Sequence, residues 1–329
     1  MIRKRSWRRD PIAPASIAST LRSIMSLSPV PHGDPSPSAS LLRRSGTVLS
    51  GVIALLSLVG GGCVHARSDT IDLHLLQAAE LEQNGVVAIG TSLDGDPAHV
   101  TLCSGALVAP NLVLTARHCV SRSITSTPSC DARGRSHNGA HLADDADPAL
   151  VSVFVGQRVR VDHDTPRAHG IRTLHPTGQV LCDADVAFLV LDRPLVGVAI
   201  LPLRLHAPVL TGDTVLPVGF GGGVAMTIGD RVPRQPSTVL AIGPMANSDT
   251  GAVLGPREFE VDHATCRGDS GGPAIDARTG EIVGVVSRGG SCSANGNHVY
   301  TRVDAYAGLA NVAFREAERS ARESVAENR

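Results

Sequence analysis

The chain has 329 residues, 42% of them apolar and 19% charged, which fits a packed globular body and excludes wholesale disorder. Charge is uneven: residues 1–62 carry eight Lys/Arg and two Asp/Glu, leaving 22 cations against 29 anions beyond them, a net of −7. A mildly acidic body argues against nucleic acid as a main partner.

Residues 1–62 read as leader and signal peptide. The first 40 are rich in Ser, Pro and Arg without a helical or strand period. They form a disordered leader or lie before a true start, for which Met25 is the alternative. Arg43-Arg44 precede an apolar run from Val48 to Val59, too short to span a bilayer but fitting a signal-peptide core. Gly60-Gly61-Gly62-Cys63 follows and resembles the lipobox of bacterial lipoproteins, with Cys63 as the lipidated residue, although Gly60 stands where that motif prefers leucine. Val64-His65-Ala66 offers a rival site for ordinary signal peptidase, and both routes stay open. Residues 63–83 read as a linker or short propeptide. Leu73 and Leu76 begin an apolar helical face that Glu80 interrupts.

A domain is expected over 84–325. Val86-Val87-Ala88-Ile89 is an apolar run closed by a turn at Asp94-Gly95-Asp96-Pro97. Leu112 to Thr115 is a strand running into Ala116-Arg117-His118-Cys119, so His118 sits where a rigid element ends and can hold it. Residues 121–149 are polar and carry Cys130. Their His137, His141, Asp144, Asp145 and Asp147 lack the spacing of a helical metal pair or an EF-hand and read as a solvated loop. Val151 to Val161 alternates as a strand. Asp185 then enters the apolar run Val186 to Leu191, so it will be partly buried and needs a partner. Asp183, with no apolar residues behind it, is expected at the surface.

Pro194 to Pro208 is a Pro- and Leu-rich linker between two sub-domains. Residues 222–256 alternate short apolar runs with Gly- and Pro-rich loops. The most informative stretch is Cys266-Arg267-Gly268-Asp269-Ser270-Gly271-Gly272-Pro273. A serine in a glycine-rich turn exposes its hydroxyl beside free backbone N–H groups, supplying a nucleophile and donors for an oxyanion. Ile282 to Val286 is a buried strand, His298 to Val303 another, and Asp304 is placed to cap a helix running to about residue 324.

Taken together, Thr115-Ala116-Arg117-His118-Cys119, Asp185-Val186-Ala187-Phe188-Leu189 and Gly268-Asp269-Ser270-Gly271-Gly272 resemble the motifs of trypsin- and chymotrypsin-like serine proteases over roughly residues 84–315. Many short strands with one terminal helix already fit an all-β class. The resemblance implies two six-stranded antiparallel β-barrels, about 84–195 and 205–303, a C-terminal helix about 304–324, and a site in the cleft. It implies a triad of His118, Asp185 and Ser270, with Gly268 and Ser270 N–H groups as the oxyanion hole. The seven cysteines include no C-x-x-C pair, which disfavours a zinc ribbon. The resemblance pairs Cys103 with Cys119 and Cys266 with Cys292, and elimination then leaves Cys130 with Cys182. By motif register the specificity pocket comprises Ala264, Thr265, Gly289 and His298. Without an aspartate at Ala264, a preference for Arg or Lys at P1 is not expected. Two pocket readings remain open: small apolar P1 residues, or acidic ones attracted by His298 with Thr265.

Family members usually pair a liberated Ile-Val-Gly-Gly amine with the acid preceding the nucleophile, here Asp269. This chain has no such tetrapeptide, and Ile71-Asp72-Leu73 is a weak substitute. The implied function is a secreted or surface-tethered serine endopeptidase acting on proteins or peptides. It would need no metal or organic cofactor and reach a membrane only through a lipid anchor at Cys63; the residues do not give an oligomeric state, and a monomer is assumed. The competing reading is an inactive homologue serving as a protein-binding module. An α/β-hydrolase esterase is excluded by the order His, Asp, Ser.

Overall fold

Val86 to Ser92 is buried at every position, and so are Leu112 to Thr115 and Ala187 to Leu191. Strands covered on both faces read as continuous apolar runs rather than alternating ones, which is how Val86 to Ile89, Leu112 to Leu114 and Ala187 to Leu191 appear in the sequence. In the computed structural model they belong to the first of two barrels. The structure describes residues 84–327 apart from 97–98, 124, 126–127, 224, 226, 264, 290–291 and 293–296. Cys63, Ile71 and Ala264, together with the leader and linker, lie outside the described residues.

The first barrel comprises β1 (Val86–Ser92), β2 (Val100–Ala109), β3 (Leu112–Thr115), β4 (Val151–Phe154), β5 (Ala168–Leu174) and β6 (Ala187–Leu191), closed in the order β1-β2-β3-β6-β5-β4. The second comprises β7 (Thr214–Gly219), β8 (Ser237–Ile242), β9 (Glu258–Val261), β10 (Pro273–Asp276), β11 (Ile282–Gly289) and β12 (His298–Arg302). Its order is β7-β8-β9-β12-β11-β10, with β10 returning to β7. The two orders are the same pattern, and every pairing within the barrels is antiparallel. Closure removes the free sheet edges that would otherwise invite pairing with other chains.

The strand period divides the first barrel's apolar residues between two cores. Val87, Ile89, Leu107, Val113, Val153 and Leu189 pack together in one cluster. Val86, Ala88, Leu112, Leu114, Phe188 and Val190 belong to another, shared with Phe220, Ile275 and Val285 of the second barrel's segments. The second barrel has its own cluster, in which Phe259 and Tyr300, paired across β9 and β12, stack with ring centroids 5.2 Å apart.

The C-terminal segment departs from its expected start. Asp304 does not cap the helix; its carboxylate receives two hydrogen bonds from Arg302, at 3.1 and 2.6 Å. A 3-10 turn covers Asp304–Tyr306, and helix α1 runs from Ala307 to Glu327. It lies against β3 and β6. Ala310, Ala313 and Ala317, at helical spacing, are at most 1% exposed. Their small side chains bring the helix close enough for the Asn111 amide to donate to the Ala317 carbonyl at 3.0 Å.

The polar insertion is anchored at both ends. Ser121–Ser123 pairs with Leu142–Asp145, and a disulfide joins Cys130 to Cys182. The other two disulfides are Cys103–Cys119 and Cys266–Cys292, so all three expected pairings are present. Because Ala313 has 0% exposure against a closed core, Ala313→Leu should overpack it and cost about 1–3 kcal/mol. A lower urea midpoint at unchanged m-value is the measurement.

Candidate active site

His118 is held by the strand that precedes it. β3 ends at Thr115, Ala116 is extended, and Arg117–Cys119 form a single 3-10 turn. Cys119 is stapled to Cys103 on β2, so the turn is fixed from two neighbouring strands. Asp185 precedes β6, which pairs with β3; strand pairing therefore brings histidine and acid together across 67 residues of sequence.

The Asp185 carboxylate has 0% exposure. It accepts the His118 backbone N–H at 2.9 Å, the His118 ring Nδ1–H at 2.7 Å and the Ser287 hydroxyl at 2.7 Å. Burial alone would raise its pKa; the neighbouring His118 and these hydrogen bonds outweigh it and hold the carboxyl below its ordinary value. For His118 the burial cost again leads and acts downward, but attraction and hydrogen bonding to Asp185 carry the ring above its ordinary 6.5. The orienting bond at Nδ1 leaves Nε2 as the nitrogen available to a substrate-side proton.

Ser270 lies in the turn between β9 and β10 and lines, with His118, a cavity of about 980 Å³. Among the described residues the Ser270 hydroxyl forms no hydrogen bond, to His118 or to any other group. Gly268 has φ +99°, a left-handed conformation that side-chain-bearing residues rarely adopt. It too lines the cavity, and the N–H groups of Gly268 and Ser270 have no protein acceptor among the described residues. Two free donors beside a hydroxyl are the arrangement that can hold an oxyanion.

Thr265 and Gly289 line the same cavity. His298 does not enter it as a free imidazole: the residue is 0% exposed, at the start of β12, and its Nδ1 faces the Thr265 N–H at 3.3 Å and the Thr265 hydroxyl at 2.7 Å. Asp269 is 1% exposed and paired with Arg234. Asp183 is buried at 7% exposure, contrary to its expected place at the surface. It takes φ +68°, accepts the Arg257 backbone N–H and pairs with the Arg257 guanidinium at 3.1 Å. Burial pushes its carboxyl up to about 6 despite that cation. Its backbone is held from the far end of the chain, where the Tyr306 hydroxyl donates to the Asp183 carbonyl. Among the described residues, the one compact cluster of metal-ligand types is Cys103, His118 and Cys119, and its two sulfurs are spent in the disulfide.

Sequence reasoning missed three residues that shape the site. Ser287 holds Asp185. Ser104 on β2 donates its hydroxyl to the Gly268 carbonyl at 2.7 Å, and its backbone N–H donates to the Ser270 carbonyl at 2.8 Å. Arg234 holds Asp269. Ser287 was traceable as the serine ending a buried strand before Gly289; the other two carry no local signal.

A family model described as trypsin matches residues 83–309. This chain belongs to the trypsin family. Mannan-binding lectin serine protease 1 of Mus musculus is 28% identical over 230 residues, covering 63% of this chain and 30% of that protein. The cercarial protease of Schistosoma mansoni is 26% identical over 200 residues, covering 57% of this chain and 71% of that protein. The chain thus matches under a third of the mouse protein's length. Among solved structures, a scabies mite inactivated protease paralogue shares the fold at TM-score 0.51 and 19% identity, covering 72% of this chain and 96% of that one.

The raised His118 pKa depends on the Asp185 charge. In Asp185→Asn that attraction is lost while burial remains, so the ring should titrate below 6.5. Imidazole NMR reads this; a value still above 6.5 would show that another group sets it.

Proposed function

We propose that this trypsin-family domain is an active serine endopeptidase. The observation that carries the reading is the buried Asp185–His118 pair opening on the cavity that Ser270 lines. Ser270 attacks the scissile carbonyl, and His118 takes its proton and returns it to the leaving amine. Asp185 fixes the imidazole tautomer and stabilises the imidazolium, and the N–H groups of Gly268 and Ser270 stabilise the oxyanion. Proton uptake requires neutral His118, so the raised pKa puts the acid limb of kcat/KM above pH 6.5.

His118 and Ser270 are brought into register by one short segment, Cys103-Ser104. Cys103 staples the histidine turn and Ser104 hydrogen-bonds the serine turn. An intact arrangement of this kind favours the enzyme over a binding module built on the same scaffold. The module reading draws on the inactivated scabies mite paralogue, which shares the fold.

For specificity, the buried His298 ring with its Nδ1 turned to Thr265 supports a shortened pocket and small apolar P1 residues. Three disulfides fit an oxidising, extracytoplasmic compartment. Protein or peptide substrates follow from the family, and the domain divides as a protease body over 84–325 behind a leader and linker.

Ser270→Ala and His118→Ala should each lower turnover by several orders of magnitude, and a fluorophosphonate should label native protein but not Ser270→Ala. A folded native chain that resists the label would favour the binding module. A peptide-library profile should peak at small apolar P1 residues. One peaking at Asp or Glu would favour the acidic pocket, and one dominated by Arg or Lys would refute both readings.

A further inference from the structure

Asp269 stands between the two candidate oxyanion donors, Gly268 and Ser270, with 1% exposure. A buried carboxylate persists only with a cation and hydrogen bonds to satisfy it. The sequence offers no well-matched terminal amine for that purpose. The fold supplies a different cation from within the domain. Arg234, between Val232–Pro233 and β8, donates from Nε to Asp269 Oδ2 at 3.0 Å and from Nη2 to Oδ1 at 2.8 Å. The backbone N–H of Gly221 adds a bond to Oδ1 and that of Cys266 one to Oδ2, both at 2.7 Å. Each oxygen therefore accepts two donors, and four bonds fill a carboxylate's acceptor capacity.

The arrangement is built rather than incidental. The Arg234 side chain is 15% exposed, its backbone N–H donates to the Pro217 carbonyl at 2.8 Å and Nη2 also donates to the Gly221 carbonyl at 2.8 Å. The carboxylate reaches it through a gap that a side chain would close: a Cβ at Gly221 would sit 2.6 Å from Asp269 Cγ. Asp269 in turn fixes the backbone around the serine. Its N–H donates to the Cys266 carbonyl at 3.0 Å and its carbonyl accepts the Gly272 N–H at 2.8 Å. Releasing the side chain from its pocket would rotate the peptide groups on either side, and with them the N–H groups of Gly268 and Ser270.

We infer that Arg234 is the resident counter-ion that sets the Gly268–Ser270 turn, so that the site is competent without a liberated N-terminal amine. This rests on the protease reading above. Arg234 touches no substrate; it is a positioning residue acting through Asp269. Pairing with a buried carboxylate favours the charged form of any cation, and a guanidinium starts from a higher value than an α-amine and keeps its charge further into alkaline solution. A site held by arginine should therefore keep its activity into alkaline solution.

The chain has a single lysine, Lys4, so amine acylation of the full-length protein blocks the α-amine and one side chain while leaving Arg234 untouched. The acylated chain is treated with a fluorophosphonate, and the intact mass of the adduct is read. The expected product is the label on the uncut, acylated chain. An adduct found only on molecules with a new, free N-terminus overturns the inference and leaves the protease reading standing. A chain inert in every form, cut or uncut, defeats both.

Two variants test the residue itself, with the thermal unfolding midpoint checked for each. Arg234→Ala should label on the order of 100-fold more slowly than native protein, the scale of a lost oxyanion donor. Arg234→Lys should recover much of that rate near neutral pH, then lose it at a lower alkaline pH than the native protein does, because an ammonium gives up its proton before a guanidinium. A merely structural arginine would not transfer the lysine's titration to the rate. Native-like labelling by folded Arg234→Ala, or an Arg234→Lys variant that labels no faster than folded Arg234→Ala near neutral pH, would overturn the assignment.

Discussion

The grip of Ser104 on the serine turn is the contact on which the rest of the site depends. Its hydroxyl donates to the Gly268 carbonyl and accepts the Phe220 N–H at 2.9 Å, while its own N–H reaches the Ser270 carbonyl. Ser104 is wholly buried, so these groups have no water to fall back on, and leaving any of them unpaired is costly. The bonds join β2 of the first barrel to the turn between β9 and β10 of the second. The neighbouring Cys103 holds the histidine turn by its disulfide. One dipeptide on one strand thus registers His118 and Ser270 against each other, although they are 152 positions apart in the numbering.

Buried carboxylates impose the second constraint. Asp185, Asp269 and Glu258 are each at most 1% exposed, and each is met by a cationic or hydrogen-bonding partner drawn from distant sequence. Asp185 has His118 and Ser287, Asp269 has Arg234, and Glu258 has the Arg288 guanidinium with the N–H groups of Asp183 and Gly255. Removing one partner from such a pair leaves a charge stranded in a poorly solvated place. The polar network therefore couples the loop that carries Asp185 to β9 and β11, and so the carboxylate beside His118 to the wall of the cavity.

Much of this was legible from local chemistry. An apolar strand running into His118-Cys119, an acid entering the run Val186 to Leu191, and a serine in a glycine-rich turn each announce a constrained polar group. The same local reading misjudged Asp183 and Asp304. It lacked the tertiary partners: Arg257 and Tyr306 cover Asp183, and Arg302 draws Asp304 away from the helix start. His298 stands in the sequence as a pocket residue with no sign of its partner; the register of β12 against β9 and β11 buries the ring and turns its Nδ1 to Thr265.

The sequence by itself determined the strand-rich class, the motif-bearing histidine, aspartate and serine, and cysteines at the family's spacings. These depend on periodicity, turn chemistry and short motifs, all of which are local. Tertiary structure alone decided the partners: Ser104 for the serine turn, Ser287 for Asp185 and Arg234 for Asp269. A buried charge demands a counter-ion but says nothing of where in the chain it will come from. Only closure of the second barrel brings Arg234 within hydrogen-bonding distance of an acid 35 residues away.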